Sequence, residues 1–384
     1  MMKNIFKRKI LFLLVFVLVL TTPGITAFGE AVKTQDAGQI NLVQELNYLG
    51  KMLQLIKANY PYDITERELM DGAMKGLFYN LDEYSNYYTE REFKQLSEDV
   101  SGDFGGIGVN ITRKNDYITV ITPLKGTPGY KAGILPGDII VSVDGIDVTK
   151  YTTRDVSELI RGEPGTKVNL GIVRADNPNP IYIEIAREKI EINPVDYEIL
   201  EDNIGYIRIT EFNNHTLENI IKVLNNFNKN KVNDIIFDIR NNPGGSLNEV
   251  INVLRLIVPK GPIVHVKNSD GSIQTYSAFA NVPKYNMAVL VNRGSASAAE
   301  IFAGAIKDRK LGTIIGTTTF GKGTVQTLIP LTNGGGIKLT IAEYLTANKN
   351  PVNKVGVEPD IVVEDNAEKD LHLIKAIEVL KKNR

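Results

Sequence analysis

The segment Asn292-Arg293-Gly294-Ser295-Ala296-Ser297-Ala298-Ala299-Glu300-Ile301-Phe302 places a serine where an apolar strand ends and a helix begins. At such a turn the Ser297 hydroxyl is exposed. The Ala298 N–H has no intrahelical acceptor there, so it can stabilise an oxyanion. Ser297 and Glu300 also spell an S-x-x-E capping box, and caps far outnumber nucleophiles. The second segment, Thr319-Phe320-Gly321-Lys322-Gly323-Thr324-Val325-Gln326, sets Lys322 25 residues after the serine. Alone it reads as a solvated surface lysine. Paired with a serine, a lysine serves as general base only when neutral, so its pKa must fall from about 10.4 to about 7–8. Burial supplies such a shift. Phe320 and Val325 are the expected apolar walls. Gln326 shares a face with Lys322 in a strand or a helix and can accept from the amine without adding negative charge.

Composition removes the competing chemistries. There is no cysteine, which excludes disulfides, a thiol nucleophile and thiolate metal sites. His215, His265 and His372 lie 50 and 107 residues apart, so no short His-based zinc signature exists, and no metal or cofactor is expected. His265 and His215 stay open as bases of a Ser–His–Asp arrangement. Gly316 with Gly321-Lys322 nearly spells a phosphate-binding loop, but Gly323 stands where Ser or Thr is needed, and a strand follows rather than a helix. With 44 Lys+Arg against 45 Asp+Glu, the chain lacks the basic surplus expected of a nucleic-acid partner.

The elements that must position these residues follow from periodicity. A basic stretch with Lys3, Lys7, Arg8 and Lys9 precedes an apolar run at 10–20, the pattern of a signal peptide, with cleavage after Ala27 or Gly29. An uncleaved membrane anchor is the alternative for residues 1–29. Either way the rest of the chain works outside the cytoplasm. Apolar residues at helical spacing over 40–59, and a Thr65/Glu68 capping box, make residues 30–97 a helical region. Its stripe suits a core better than a dimer interface. Residues 98–189 read as short strands around one helix at 153–160. Residues 190–384 alternate strand and helix, which implies βαβ units in a layered α/β core. The class is therefore multidomain α/β and α+β.

The middle module, with Gly105-Gly106-Ile107-Gly108-Val109, Leu135-Pro136-Gly137-Asp138 and Val143-Asp144-Gly145, resembles a bacterial, permuted PDZ domain. The resemblance implies that amides of Gly105, Gly106, Ile107 and Gly108 receive a peptide carboxylate, and that the next strand pairs with the peptide. Ile107 is a candidate contact. Otherwise the glycines form a tight turn.

The serine and lysine segments, with Leu81-Asp82-Glu83-Tyr84-Ser85 and Asp238-Ile239-Arg240-Asn241-Asn242-Pro243-Gly244-Gly245, resemble the C-terminal processing peptidases over residues 45–365. That family joins a PDZ domain to a Ser–Lys protease core. The resemblance implies Ser297 as nucleophile, Lys322 as base, Gln326 orienting it, and Ala298 with Gly244 as oxyanion donors. Ala299 replaces a frequent third serine, and Glu83 a common proline. The expected activity is serine endopeptidase action on polypeptides with exposed C-termini, with a homodimer a reasonable assembly. Arg161, at the end of the module's helix, is placed to contact the protease core, or is a surface arginine at a helix end. A silent PDZ adaptor or chaperone, or a Ser–His–Asp hydrolase, is the competing reading.

Overall fold

The computed structural model describes residues 40–384 except 175, 176, 282–284 and 367, so the expected signal or anchor lies outside the described residues. The chain divides into two compact units, one ending at Met70 and one spanning Asp71–Arg384. In the first, α1 (Leu42–Asn59) is capped by Asn41, whose side chain accepts from Gln44 N–H. The predicted stripe forms, but α1 buries none of its residues; Leu42, Val43, Leu46, Leu55 and Ile56 all stay exposed. The expectation that it is core is thus corrected. Thr65 and Glu68 close their capping box, with Thr65 N–H donating to Glu68 Oε2 at 2.8 Å. It opens α2 (Glu66–Leu77), which carries the chain into the second unit.

Residues 30–97 are not helical throughout. Before α3 (Glu90–Ser101) comes a strand, β1 (Asn86–Tyr88), that belongs to a sheet of the C-terminal core. After α3, β2 (Asp103–Gly106) pairs with β9 (Glu188–Glu191), a two-stranded ribbon through which the chain enters and leaves the middle module. Inside the module, β3 (Val109–Lys114), β4 (Tyr117–Pro123), β5 (Ile139–Val143), β7 (Lys167–Arg174) and β8 (Asn177–Ala186) form one antiparallel sheet in that order. β6 (Ile146–Asp147) pairs with β5, and a short helix, α4 (Pro128–Lys131), follows β4. α5 (Thr153–Ile160) packs across the sheet and buries Val156 and Ile160 against Ile118, Val120, Ile140 and Val168. β3 is left as an edge strand beside α5.

The core is layered. β10 (Val195–Leu200), β11 (Ile204–Ile209), β12 (Asp234–Asp238), β15 (Asn286–Val291), β16 (Gly312–Gly316) and β19 (Ile361–Val362) form one sheet, parallel from β11 onward. Strand alternation divides its side chains. Phe237, Met287 and Val289 face α6 (Thr216–Lys229), α7 (Leu247–Ile257) and α8 (Ala298–Asp308), while Ile236, Ala288 and Leu290 face α9 (Leu371–Lys382). On the far side of α7 and α8 lies the second sheet. It contains β13 (Gly261–Asn268), β14 (Ile273–Ala278), β17 (Thr324–Pro330), β18 (Gly336–Leu345) and β1. α8 is therefore sandwiched, and every residue from Ala298 to Ile306 is buried. Truncating a buried phenylalanine there, such as Phe302, costs about 3–5 kcal/mol.

Candidate active site

Two loops at the C-terminal ends of parallel strands carry the serine, the place where open α/β sheets gather ligands. The loop after β12 and the loop after β15 are stitched together by buried amides. Asn292 Oδ1 accepts from Asn241 N–H at 2.9 Å, and its Nδ2 donates to Asn241 Oδ1 at 3.0 Å. The Ser295 hydroxyl donates to Ile239 O at 2.8 Å, and Ala296 N–H to Asn242 O at 2.9 Å. At the end of this frame Ser297 takes φ 53° and ψ −114°, a strained setting for a residue with a side chain. An ordinary N-cap is extended. Here the Glu300 N–H goes to the Ser297 carbonyl at 2.8 Å, so the plain capping reading does not describe this turn.

Glu300, fully buried, ties the serine to the lysine. Its Oε2 accepts from Ser297 N–H and Lys322 N–H, each at 2.9 Å. Its Oε1 accepts from the Thr319 hydroxyl at 2.6 Å and Gly321 N–H at 2.7 Å. The buried Tyr344 hydroxyl reaches the Ser297 carbonyl at 3.0 Å and the Lys322 carbonyl. Burial first, and Glu300 second, push that phenol well above its ordinary range, so it stays a donor. Two loops from different strands are thus held at one carboxylate and one phenol.

The Lys322 Nζ lies 4.5 Å from the centroid of the Tyr84 ring. Its pKa is lowered, by burial first and by the neighbouring Lys338 ammonium second, against the opposing pull of Asp82, Glu300 and Glu83. The wall that desolvates it differs from expectation. Phe320 is 59% exposed, whereas Tyr84 supplies the ring. Gln326 does not reach Lys322 by sharing its face, since Lys322 precedes β17 and a bulge intervenes at Val325/Gln326. Instead its Nε2 donates to Thr324 Oγ1 at 2.8 Å and Thr340 Oγ1 at 3.2 Å, which leaves its carbonyl oxygen as the end that can receive an amine.

Of the two expected oxyanion donors, Ala298 N–H has no acceptor among the described residues. Gly244, at φ 107°, approaches so closely that a Cβ there would sit 2.8 Å from Ser297 Cβ. Its own N–H, however, already donates to Asn242 Oδ1 at 2.8 Å. The histidines are engaged elsewhere. His265 uses Nδ1 on Thr275 Oγ1 at 2.8 Å and Nε2 on Ala347 O at 3.1 Å. His215 Nε2 meets Asp103 Oδ1 at 2.6 Å, and His372 Nε2 meets Val363 O at 2.6 Å. The segment after Lys322 is a strand, as the rejection of a phosphate loop requires.

In the middle module Gly105 and Gly106 are not loop residues; both lie in β2, opposite Lys189 and Glu188. The Ile107 side chain is fully buried in the module core and offers no surface to a peptide, which corrects its reading as a contact. Its backbone fits the expected role better. The N–H groups of Ile107 and Gly108 have no acceptor among the described residues, and they stand where edge strand β3 begins. Arg161 meets α3 and β2. Its guanidinium lies 3.3 Å from Asp99 and 3.5 Å from Glu98 on α3, over the Phe104 ring.

The sequence reading missed Glu300 as a junction, gave Thr319 and Tyr84 no role within their motifs, and missed Tyr344 altogether. Glu300 did carry a signal: it is the single charge in the first nine residues of a helix apolar all round, Ala-Ala-Glu-Ile-Phe-Ala-Gly-Ala-Ile. Tyr344 carried none, because its role depends on a strand far along the chain.

Comparison with known proteins identifies the family. Residues 203–363 match Peptidase family S41, and residues 119–174 match a PDZ domain. The chain is 35% identical over 366 residues to the carboxy-terminal processing protease CtpA of Bacillus subtilis, across 93% of this chain and 78% of that one. It is 32% identical over 364 residues to a carboxy-terminal-processing protease of Bartonella bacilliformis, across 93% and 83%. Among solved structures it resembles a photosystem II D1 C-terminal processing protease, with a TM-score of 0.50 at 32% identity over 82% of this chain and 86% of that one. The chain is a PDZ-containing peptidase and belongs to peptidase family S41.

Proposed function

We propose that this peptidase is an exported serine endopeptidase that captures exposed polypeptide C-termini and cleaves by a Ser297–Lys322 mechanism. The observation that carries the reading is the Glu300 carboxylate, which takes the Ser297 and Lys322 amides at 2.9 Å each. A lysine tied by its backbone to a strained serine, and depressed by burial, is suited to act as base. In the reaction the Lys322 amine leaves the Tyr84 ring, takes the Ser297 proton, and is held by the Gln326 carbonyl. The hydroxyl oxygen attacks the substrate carbonyl, and Ala298 N–H receives the oxyanion. Lys322 then returns the proton to the departing amine, and water releases the acyl group. A glycine amide of the 242–245 turn completes the hole if Asn242 lets Gly244 go.

The free amides of Ile107 and Gly108, beside an edge strand and α5, suit a terminal carboxylate and an added strand. Export rests on the basic and apolar segments before residue 21. The apolar face of α1 favours pairing of two copies, which sedimentation at graded concentrations checks.

An unfolded test protein with an apolar C-terminus is incubated with wild type, S297A, K322A and H265A, and its fragments are identified by mass. Cleavage is expected to fall by about a thousandfold or more in S297A and K322A, and to persist in H265A. Cleavage by K322A would overturn the mechanism. Binding without cleavage by wild type would favour the adaptor.

A further inference from the structure

Along β18 the side chains of Lys338 and Thr340 share one face with Leu328 and Gln326 of β17, while the bulge opposite Val325/Gln326 puts Ala342 and Tyr344 in a different register. That face borders the catalytic groups: Thr340 Oγ1 accepts from Gln326, and the Thr340 N–H donates to Ser85, next to the Tyr84 ring that Lys322 faces. Lys338 is fixed there between Asn86 of β1 and Leu328 of β17. It is half-buried, and among the described residues it has neither a hydrogen bond nor a carboxylate within salt-bridge reach. A stranded ammonium in a sheet interior is costly, and surface lysines avoid such positions.

We propose that Lys338 is a positioning residue that works through Lys322: an unpaired cation opposite Asn86, on the 82–86 segment whose Tyr84 ring Lys322 faces, makes a second ammonium at that segment unfavourable. Lys322 must then shed its proton or leave the Tyr84 ring toward Ser297, and both outcomes prepare it as a base. The inference rests on the Ser–Lys reading above. Lys338 is the second cause of the lowered pKa of Lys322, after burial, while burial alone lowers Lys338. Paired lysines are a known way to free an amine at neutral pH. The surrounding carboxylates oppose it without reversing the lowering: Asp82, bonded to Thr340 and Ser85, then Glu300, which takes the Gly321 and Lys322 amides, then Glu83. β17 carries no charge; β1 brings only Tyr87 and Tyr88 as titratable groups, and on α3 Glu92 is paired with Lys75 while Glu90 lies against Gly334. On β13, His265 and Lys267 lie at the other end of β18, beside Leu345 and Glu343.

The test is kcat/KM of the full chain against pH, from 6 to beyond 10, for wild type, K338M, K338R and K322A. K338M is expected to lose about three- to tenfold at pH 7, in kcat rather than KM, and to rejoin wild type at high pH, where Lys322 is neutral anyway. K338R should restore the wild-type profile. A K338M loss that is independent of pH and appears in KM would make Lys338 a substrate contact and overturn the inference. So would equal loss in K338M and K338R with a collapsed thermal transition. Activity in K322A would instead sink the Ser–Lys reading itself, whatever Lys338 does.

Discussion

On the function proposed above, the PDZ module and the catalytic core would each present backbone amides to a negative group, and they prepare those amides in opposite ways. In the module the amides of Ile107 and Gly108 have no acceptor among the described residues, because a glycine at φ 69° turns the chain before an edge strand. Side chains do little there beyond filling the core beneath. In the core, the loops around Ser297 are held by the buried polar side chains of Asn242, Asn292, Ser295, Glu300 and Tyr344, joined by the exposed Asn241. A carboxylate arrives with its charge already formed and needs only donors. An oxyanion exists for an instant, beside a nucleophile and a base, so three groups must be placed at once. That requirement explains why one site costs a turn and the other a network.

Glu300→Gln should break the contrast most severely. Glutamine has one acceptor oxygen where the carboxylate offers two, and it turns an N–H₂ toward amide and hydroxyl donors. Each buried donor left unmade costs about 1–3 kcal/mol, so stability falls as well. A drop of about a hundredfold or more in kcat/KM is expected, measured beside the thermal transition. Full activity in E300Q would mean that the junction is not what aligns serine and lysine. Tyr344→Phe removes only a shared proton. Roughly tenfold in kcat, with about 1 kcal/mol of stability, is the expected loss.

Gly108→Val probes the module. A Cβ there would meet Thr127 at 2.4–2.5 Å in a φ 69° conformation that branched residues avoid. Affinity for a C-terminal peptide should fall about tenfold by calorimetry, raising KM for tethered substrates, with a short untethered peptide as internal reference. Equal loss on both substrates would show that the module shapes the catalytic loops rather than capturing chains. A smaller effect is expected of Arg161→Ala. It removes an ion pair with Glu98 whose side chains are 24% and 22% exposed, and a ring contact with Phe104, together worth about 1 kcal/mol. If basal and peptide-stimulated cleavage both stay level, Arg161 only braces the module against α3.

Legibility divided along the same line. The PDZ elements were readable because each is local: Thr152 and Asp155 cap α5, and Gly162 and Pro164 follow its end. Ile107 was misread because glycines on either side drew attention to the loop rather than to a core side chain. The strand-to-helix turn at Ser297 and the strand after Lys322 were readable locally, while the roles of both residues came only from the family resemblance. Glu300 hid behind a capping box that is half real, since it does accept the Ser297 N–H. β1, β13, β14 and β18 escaped notice, and with them Tyr344, Thr340 and Lys338. β1 and β18 pair across most of the chain, Asn86 opposite Lys338, and no local pattern encodes such a partner. On α1 the helical period was sound, but a period cannot say what covers the face it creates.

The smallest expected effect runs against activity. Lys322 is depressed chiefly by burial, so the folded chain holds its proton less tightly than the unfolded chain does. Between the folded pKa and the ordinary value near 10.5, the unfolded state binds more protons, and stability rises with pH. Below that window the penalty is present in full; above it the penalty is gone. Lys322→Met removes the penalty and keeps the apolar stem, while giving up the Tyr84 contact. The inactive variant should therefore melt higher, by about 2–4 °C for each kcal/mol recovered, with the gain shrinking as pH passes 10. Gly108→Val should show no such pH-linked gain, because the module's donors bury no charge. If K322M melts lower at every pH, the Tyr84 ring repays the lysine in full, and the catalytic core carries less strain than its geometry implies.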